Sequence, residues 1–259
     1  MLPPASIDER ATALRVMRAA TPLLLLLDYD GTLVPIASTP PEARPDDALL
    51  RLLDRLTRRP GTHVHIVSGR DSEVLDTWLG RLPLGLHAEH GASSRRGSAW
   101  SPRVPLDDTW RDEALGILRT FTDATPGSLI EQKPLGMSWH YRLADAALGT
   151  HQAARLHRRL TEALARAPVD VTSGQLVVEL RPRGAHKGLV VAPLLDALPP
   201  TTLAVAFGDD RTDEDLFAAL PTSGLSFRVG AGPSQARLRL TSSDDVRSLL
   251  TALVDGEAR

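Results

Sequence analysis

The stretch LLLLLDYDGTL, residues 23–33, decides the fold of this chain. A run of five leucines is typical of a strand that is buried on both faces, as the strands of parallel sheets are. Asp28 and Asp30 stand at the carboxyl end of this predicted strand, where such sheets bind their ligands. Side chains two residues apart on a strand point the same way, so the two carboxylates are predicted to face one small volume.

This pair of carboxylates has two interpretations. Close carboxylates repel each other unless a cation lies between them or one carries a proton. Such a pair therefore suits phosphoryl transfer to a carboxylate nucleophile with Mg²⁺. The alternative is a solvated Asp-x-Asp-Gly turn after a core strand, because Asp and Gly are common turn residues. The choice depends on whether other residues of such a site follow along the chain.

The composition is that of an ordinary globular protein, since 42% of the residues are hydrophobic and 24% are charged. A chain of 259 residues suffices for one large domain or two modest ones. A net charge of −2 gives no indication of a nucleic-acid or membrane partner, and the absence of cysteine excludes disulfides and thiolate metal sites. The sequence shows no bilayer-spanning run and no signal peptide, so we expect a cytoplasmic protein, and a monomer.

The hydrophobic pattern changes in the middle of the chain. Strand-like and helix-like segments alternate in residues 1–97 and 183–259, which predicts an α/β core with a parallel sheet. Residues 98–182 have a pattern of their own, which predicts an inserted α+β cap domain. The cap is predicted to contain helices near 107–123 and 145–166, a strand pair near 128–142, and a hairpin near 169–181 that turns at Thr172-Ser173-Gly174.

Three further motifs follow DYDGTL in order. They are VSGR with Ser68, the pair Lys187-Gly188, and GDDRTDED at 208–215. Together the four motifs resemble the haloacid dehalogenase superfamily of phosphatases. The resemblance covers about residues 20–255 and implies a haloacid-dehalogenase-like Rossmannoid core with Mg²⁺ as the cofactor.

The resemblance also implies a role for each motif residue. Asp28 would be the nucleophile, and Asp30 would be the general acid and then the general base. Asp209 would complete the metal site with Asp28 and Asp30. Ser68 and Lys187 would bind the phosphoryl oxygens and stabilise the charge that they carry in the transition state. Asp210 and Asp213 are expected to contact the metal ligands and not the metal itself.

Three longer segments are similar to the trehalose-6-phosphate phosphatases. These segments are HAEHGA at 87–92, EQKPLGMSWHYR at 131–142 and VVELRPRGAHKG at 177–188. The resemblance implies a disaccharide phosphate as the substrate, with trehalose and phosphate as products. The residues expected to bind its phosphate or its sugar are Gly31, Thr32, Gly69, Arg70, Arg103, Glu131, Lys133, His140, Arg142 and Glu179.

Several alternatives stay open at this point. A phosphatase for sucrose 6-phosphate or mannosyl-phosphoglycerate would share the same chemistry, and a phosphosugar mutase would share the Asp pair and the metal. A non-enzymatic sugar-phosphate-binding module is a further alternative, although the intact motifs disfavour it. The polar residues of the cap also fit an ordinary solvated face of an antiparallel sheet. Oxygen ligands accept several hard cations, so Mn²⁺ and Co²⁺ remain alternatives to Mg²⁺.

Overall fold

The structure is a computed structural model that describes residues 3–256, and the chain divides into two units. The first unit contains the chain up to Ser101 and again from His186, and the second contains Pro102–Ala185. The second unit is therefore an insertion in the sequence of the first. Among residues 3–256, no helix has both the length and the apolar character needed to cross a membrane.

A single sheet forms the centre of the first unit. Its strands are β1 (Leu23–Leu27), β2 (Thr62–Val67), β3 (Gly85–Ala88), β4 (Ser93–Arg96), β5 (Ala99–Pro102), β10 (Leu203–Gly208), β11 (Leu225–Val229) and β12 (Leu238–Leu240). Their order is β12-β11-β10-β1-β2-β3-β4-β5. The six strands from β12 to β3 are parallel, whereas β4 is antiparallel to β3. The predicted α/β fold with a mostly parallel sheet is therefore confirmed.

Helices connect the strands of this sheet. They are α1 (Ile7–Ala19), α2 (Asp47–Arg58), α3 (Ser72–Leu79), α6 (Val191–Asp196), α7 (Glu214–Ala218) and α8 (Ser243–Asp255). Four of them begin at a side chain that accepts a backbone amide of the first turn, from Ser6, Asp46, Asp71 and Ser242. These caps satisfy amides that have no partner within the helix, so the sequence marks where each helix begins.

Alternate leucines of β1 pack on opposite faces of the sheet. Leu23, Leu25 and Leu27 belong to a core that includes residues of α1, α2 and α8. Leu24 and Leu26 belong to a second core that includes residues of α6 and α7. All five side chains are fully buried. The sheet thus lies between two helical layers, which is why its central strand contains no polar residue.

The register of the central strands determines what meets at their carboxyl ends. β1 pairs with β2 on one side and with β10 on the other, so Leu27 lies between Ile66 and Phe207. The residues just beyond these three positions include Asp28 and Asp209. Parallel strands that end at the same level bring such residues to one edge of the sheet.

The second unit has a separate antiparallel sheet. Its elements are α4 (Arg111–Asp123), β6 (Leu129–Gln132), β7 (Met137–His140), α5 (Ala146–Ala163), β8 (Val169–Gly174) and β9 (Val177–Pro182). The strand order is β6-β7-β9-β8. Apolar residues such as Trp139 and Val178 pack with Leu118 and Leu156 of the two helices. Because side chains alternate along a strand, Ser138 and Glu179, which are paired in the register, lie on the opposite face.

Some predicted element boundaries are wrong. Thr172-Ser173-Gly174 lies within β8, and the hairpin turns instead at Gln175-Leu176, where Leu176 has φ of 61°. The sequence does not indicate this turn, because a left-handed leucine is uncommon. The helix predicted over 107–123 begins only at Arg111. The segment from Lys187 to Val190 is a 3-10 turn that precedes α6.

Two stacked histidines belong to the neighbouring strands β2 and β3. His65 Nδ1 is 3.0 Å from His87 Nε2, and His87 Nδ1 is 2.8 Å from Ser94 Oγ on β4. The two rings are stacked with their centroids 5.2 Å apart. Burial, with a smaller contribution from His63, lowers the pKa of His65 to about 4. The folded protein therefore holds His65 in its neutral form throughout the range in which an exposed histidine becomes charged.

We expect His65 to destabilise the protein in mild acid. Its pKa is about 4 in the folded chain and 6.5 in a model peptide, so between these pH values the unfolded chain binds the extra proton. The free energy of unfolding should fall as the pH decreases through this window, by on the order of 3 kcal/mol. Urea unfolding at several pH values should show a shallower decline for His65→Gln than for the wild type. His151→Gln, at an exposed position of α5, is the matched control, and equal slopes for all three proteins would contradict this account.

Candidate active site

Three carboxylates of the first unit converge at the carboxyl edge of its sheet. Oxygens of Asp28, Asp209 and Asp213 all lie within 4.8 Å of one another, and we call these three residues the carboxylate cluster. Asp28 follows β1, and its amide donates to the carbonyl of Phe207 in β10 at 3.0 Å. Asp209 follows β10 directly. Asp213 ends the 3-10 turn that leads into α7. The ends of β1 and β10 thus contribute one member each, and the turn after β10 contributes the third.

Lys187 is the cation of this cluster. Its Nζ donates to Asp28 Oδ1 at 2.6 Å and to Asp213 Oδ1 at 2.7 Å, and its side chain is 3% exposed. The other oxygen of Asp213 accepts the amides of Asp209 and Asp210, each at 3.0 Å. Asp213 therefore holds both the lysine and the backbone that carries Asp209.

The charges in the cluster do not balance. Three carboxylates face the single ammonium group of Lys187. Burial, and then the charge of Asp213, raises the pKa of Asp28, and burial with the charge of Asp28 raises that of Asp209. Burial lowers the pKa of Lys187, but the charges of Asp213 and Asp28 outweigh it and the net pKa lies above the ordinary value. The lysine stays charged, while the excess of negative charge makes the carboxylates favour a further positive partner.

A divalent cation fits this arrangement. The donors are carboxylate oxygens, which hard cations such as Mg²⁺ prefer, and a bound divalent ion would offset the charge of the two carboxylates that exceed the one ammonium group. Gly31 has φ of 79°, and a Cβ at this position would overlap the carboxylate of Asp209. A glycine is therefore required here both for its left-handed backbone and for the close approach of Asp209.

Thr32 and Ser68 lie in the same unit and are almost completely buried. Thr32 Oγ1 donates to Asp28 Oδ2 at 2.9 Å, so it orients the carboxylate that was predicted to be the nucleophile. Ser68 Oγ accepts the amide of Arg70 at 3.2 Å. The cap of α3 is Asp71, so Ser68 is not the residue that begins that helix.

The side chain of Asp30 forms an ion pair with Arg70. Arg70 binds it through two parallel hydrogen bonds, from Nε to Oδ2 at 2.8 Å and from Nη2 to Oδ1 at 2.7 Å. Of the predicted metal ligands Asp28, Asp30 and Asp209, the structure brings the first and the third together. The remaining member of the carboxylate cluster is Asp213.

The second unit contains a group of polar residues on the face of its sheet away from the helices. His140 Nε2 is 2.8 Å from Glu131 Oε2, while Lys133 Nζ is 3.5 Å from Glu179 Oε1 and 3.8 Å from Glu131 Oε2. Ser138 Oγ is 3.4 Å from Glu179 Oε1. We call these five residues the polar cluster. Ser138 was not among the predicted site residues, although it stands between the apolar residues Met137 and Trp139 in the sequence, a pattern that puts it on the polar face of a strand.

The remaining predicted site residues belong to neither the carboxylate cluster nor the polar cluster. Arg142 Nη2 donates to the carbonyl of Gln175 in the hairpin turn at 3.2 Å. Arg103 is partly buried and follows β5. Asp210 is the cap of the 3-10 turn that ends at Asp213. Gly69 lies against the ring of His90, which would collide with a Cβ at that position.

Comparisons with known proteins agree on one family. Residues 26–244 match the family described as trehalose-phosphatase. A bifunctional trehalose-6-phosphate synthase/phosphatase of Thermoproteus tenax is 46% identical over 231 residues, which are 89% of this chain and 32% of the relative. A trehalose-phosphatase of Schizosaccharomyces pombe is 39% identical over 216 residues, 80% of this chain and 26% of the relative. The chain thus spans about a third or less of the length of these curated relatives.

A solved structure covers almost the whole chain. It is the C-terminal domain of the trehalose-6-phosphate phosphatase of Candida albicans, with a TM-score of 0.90 and 31% identity. The match covers 98% of both chains. The similarity therefore extends over both units of the structure.

Proposed function

The chain belongs to the trehalose-phosphatase family, and from this premise we propose that it hydrolyses trehalose 6-phosphate to trehalose and phosphate. The observation that carries the proposal is the contact of Lys187 with Asp28 inside the carboxylate cluster. A carboxylate at a strand end, fixed by a buried ammonium group and close to other acids, is suited to attack a phosphoryl group. The assignment of trehalose 6-phosphate as the substrate rests on the names of the relatives.

We propose the following steps for the residues of the first unit. A carboxylate oxygen of Asp28 attacks the phosphorus, the bond from phosphorus to the sugar oxygen breaks, and that oxygen takes a proton from Asp30. Water then attacks the phosphorus of the aspartyl-phosphate and returns a proton to Asp30, and the bond to Asp28 breaks. Lys187 and Ser68 would stabilise the negative charge on the phosphoryl oxygens.

We propose Mg²⁺ as the cofactor. Asp28 and Asp209 would hold it with the main chain of Asp30, and Asp213 would keep Asp209 and Lys187 in position. The bound ion would supply positive charge for the phosphoryl oxygens. The excess of carboxylate over ammonium charge in the cluster supports this assignment.

We propose that the polar cluster of the second unit recognises the sugar. Glu131 and Glu179 can accept hydrogen bonds from several hydroxyl groups, and Lys133 and His140 can donate to them. A site built from such groups discriminates strongly against ligands that lack the matching hydroxyls. In this proposal the first unit is the phosphatase core and the second is its cap domain.

Phosphate release from a panel of substrates tests the function. The panel contains trehalose 6-phosphate, sucrose 6-phosphate, mannosyl-phosphoglycerate and glucose 6-phosphate, each measured with Mg²⁺ and with a chelator. Release from trehalose 6-phosphate, dependent on the metal and far faster than from the others, is the expected result. Preference for another member would overturn the substrate assignment, and transfer to a second hydroxyl without phosphate release would identify a mutase.

Alanine at Glu131 or Glu179 should weaken binding of the disaccharide. Loss of a hydrogen bond to a charged group should raise KM for trehalose 6-phosphate by about 10- to 100-fold. Hydrolysis of p-nitrophenyl phosphate, which has no sugar, should change little. Steady-state kinetics on both substrates provide the measurement, and Glu162→Ala, at an exposed position of α5, is the matched control. An equal loss on the two substrates would refute a role in sugar recognition.

A further inference from the structure

The predicted phosphate ligand Arg70 has another role. We propose that Arg70 is a positioning residue that acts through Asp30 and orients its carboxylate toward the water that cleaves the aspartyl-phosphate. This inference rests on the proposed function, because it concerns the second of its two steps. It replaces the expectation that Arg70 binds the phosphate directly.

The first observation is the geometry of the ion pair. Both carboxylate oxygens of Asp30 accept from the guanidinium of Arg70, at 2.8 and 2.7 Å. A planar fork of this kind determines the plane of the carboxylate as well as its position. The side chain of Asp30 is 37% exposed, so without this partner few constraints would set its direction.

The second observation is the way in which Arg70 itself is held. Its guanidinium lies over the ring of Trp78 at 4.5 Å and near that of Tyr29 at 5.7 Å. Its amide donates to Ser68 Oγ, and its carbonyl accepts the amide of Glu89 at 2.9 Å. Its side chain is only 11% exposed. An arginine that is fixed at the backbone and at the guanidinium is rigid enough to orient its partner.

The step that depends on Arg70 can be isolated with p-nitrophenyl phosphate. Nitrophenolate leaves without needing a proton, so the first step with this substrate does not require Asp30 as an acid. The second step requires Asp30 as a base whatever the substrate. A defect in positioning Asp30 should therefore lower kcat and leave kcat/KM nearly unchanged, since kcat/KM reports only the steps up to the departure of nitrophenolate.

The experiment compares Arg70→Met with the wild type in steady-state and stopped-flow assays. We expect kcat to fall by about 100-fold and kcat/KM by less than about threefold, with a burst of one nitrophenol per enzyme before the slow phase. Acid quenching should trap the accumulated aspartyl-phosphate. Arg70→Lys keeps the charge but loses the planar fork, so its kcat should lie between those of the wild type and Arg70→Met. Trp78→Leu should shift kcat in the same direction by a smaller factor.

Two further variants and the substrate panel decide the result. In the Asp30→Asn background, Arg70→Met should cause no further loss, because it acts only through Asp30. Arg58→Met, an exposed arginine of α2, should resemble the wild type. A parallel fall of kcat/KM and kcat without a burst would overturn the proposal in favour of a phosphate ligand. A wild type that hydrolyses p-nitrophenyl phosphate but not trehalose 6-phosphate would overturn only the substrate assignment. A wild type that hydrolyses neither of these, nor any other member of the panel, would overturn both the proposed function and the role of Arg70.

Discussion

Asp28→Asn is expected to abolish turnover, with kcat lower by about 10⁴-fold or more, the scale at which removal of a covalent nucleophile acts in other enzymes. The amide has nearly the shape of the carboxylate, so Thr32 and Lys187 keep a neighbour of the same size. What it lacks is the nucleophilic oxygen, and its neutral group attacks phosphorus poorly. The measurement is phosphate release together with acid-quench trapping of the phosphorylated enzyme, which should form on the wild type alone.

The fold should survive this substitution. Lys187 retains its hydrogen bond to Asp213, and removal of one carboxylate reduces the repulsion that raises the pKa of Asp209. Thermal unfolding with chelator should therefore show no large loss of stability. Asp244→Asn, at an exposed position in the first turn of α8, is the matched control for activity. A variant at Asp28 that still forms a phosphorylated enzyme would show that another residue is the nucleophile.

The parts of the site that follow from local sequence could be predicted. Five leucines predict a strand buried on two faces, and such a strand has its ligand edge where Asp28 stands. Asp209 could be predicted for the same reason, since it follows the apolar strand Leu203–Gly208. Gly31 was identified as part of the motif. The reason for a glycine, however, is the carboxylate of Asp209, which occupies the space of a Cβ and lies far away in the sequence.

Partners of long side chains could not be predicted in this way. Arg70 was placed with the phosphate ligands because of its motif, yet its direction depends on Trp78 in the next helix and on Asp30 across the strand ends. Asp213 was interpreted as support for the metal ligands, and only the register of β10 beside β1 brings it to both Lys187 and Asp28. Side-chain direction depends on tertiary packing, which a sequence pattern does not contain.

The two lysines of the chain illustrate the same limit. The sequence contains only Lys133 and Lys187 among 30 basic residues, and each lies among carboxylates with its side chain nearly buried. A compact ammonium fits between two acids where the larger planar guanidinium does not. The composition shows only that arginine far outnumbers lysine, whereas the structure associates both lysines with clusters of acids.

Lys187→Met is expected to cause the second large effect, on stability and on rate together. It leaves Asp28, Asp209 and Asp213 without their buried cation, and breaking a buried ion pair by removing one partner costs about 3–5 kcal/mol. Urea or thermal unfolding with chelator present measures this loss. Arg51→Met, which removes a cation at an exposed position of α2, is the matched control.

Added Mg²⁺ should separate the two effects of Lys187→Met. A divalent cation that binds the folded carboxylates stabilises them by mass action, so much of the lost stability should return. The rate should remain about 10³-fold below that of the wild type, because the ammonium that stabilises the phosphoryl oxygens in the transition state is still missing. Arg51→Met should retain the activity of the wild type. If Mg²⁺ restored the rate of Lys187→Met along with its stability, the lysine would serve only to neutralise the cluster, and its assignment to the transition state would be wrong.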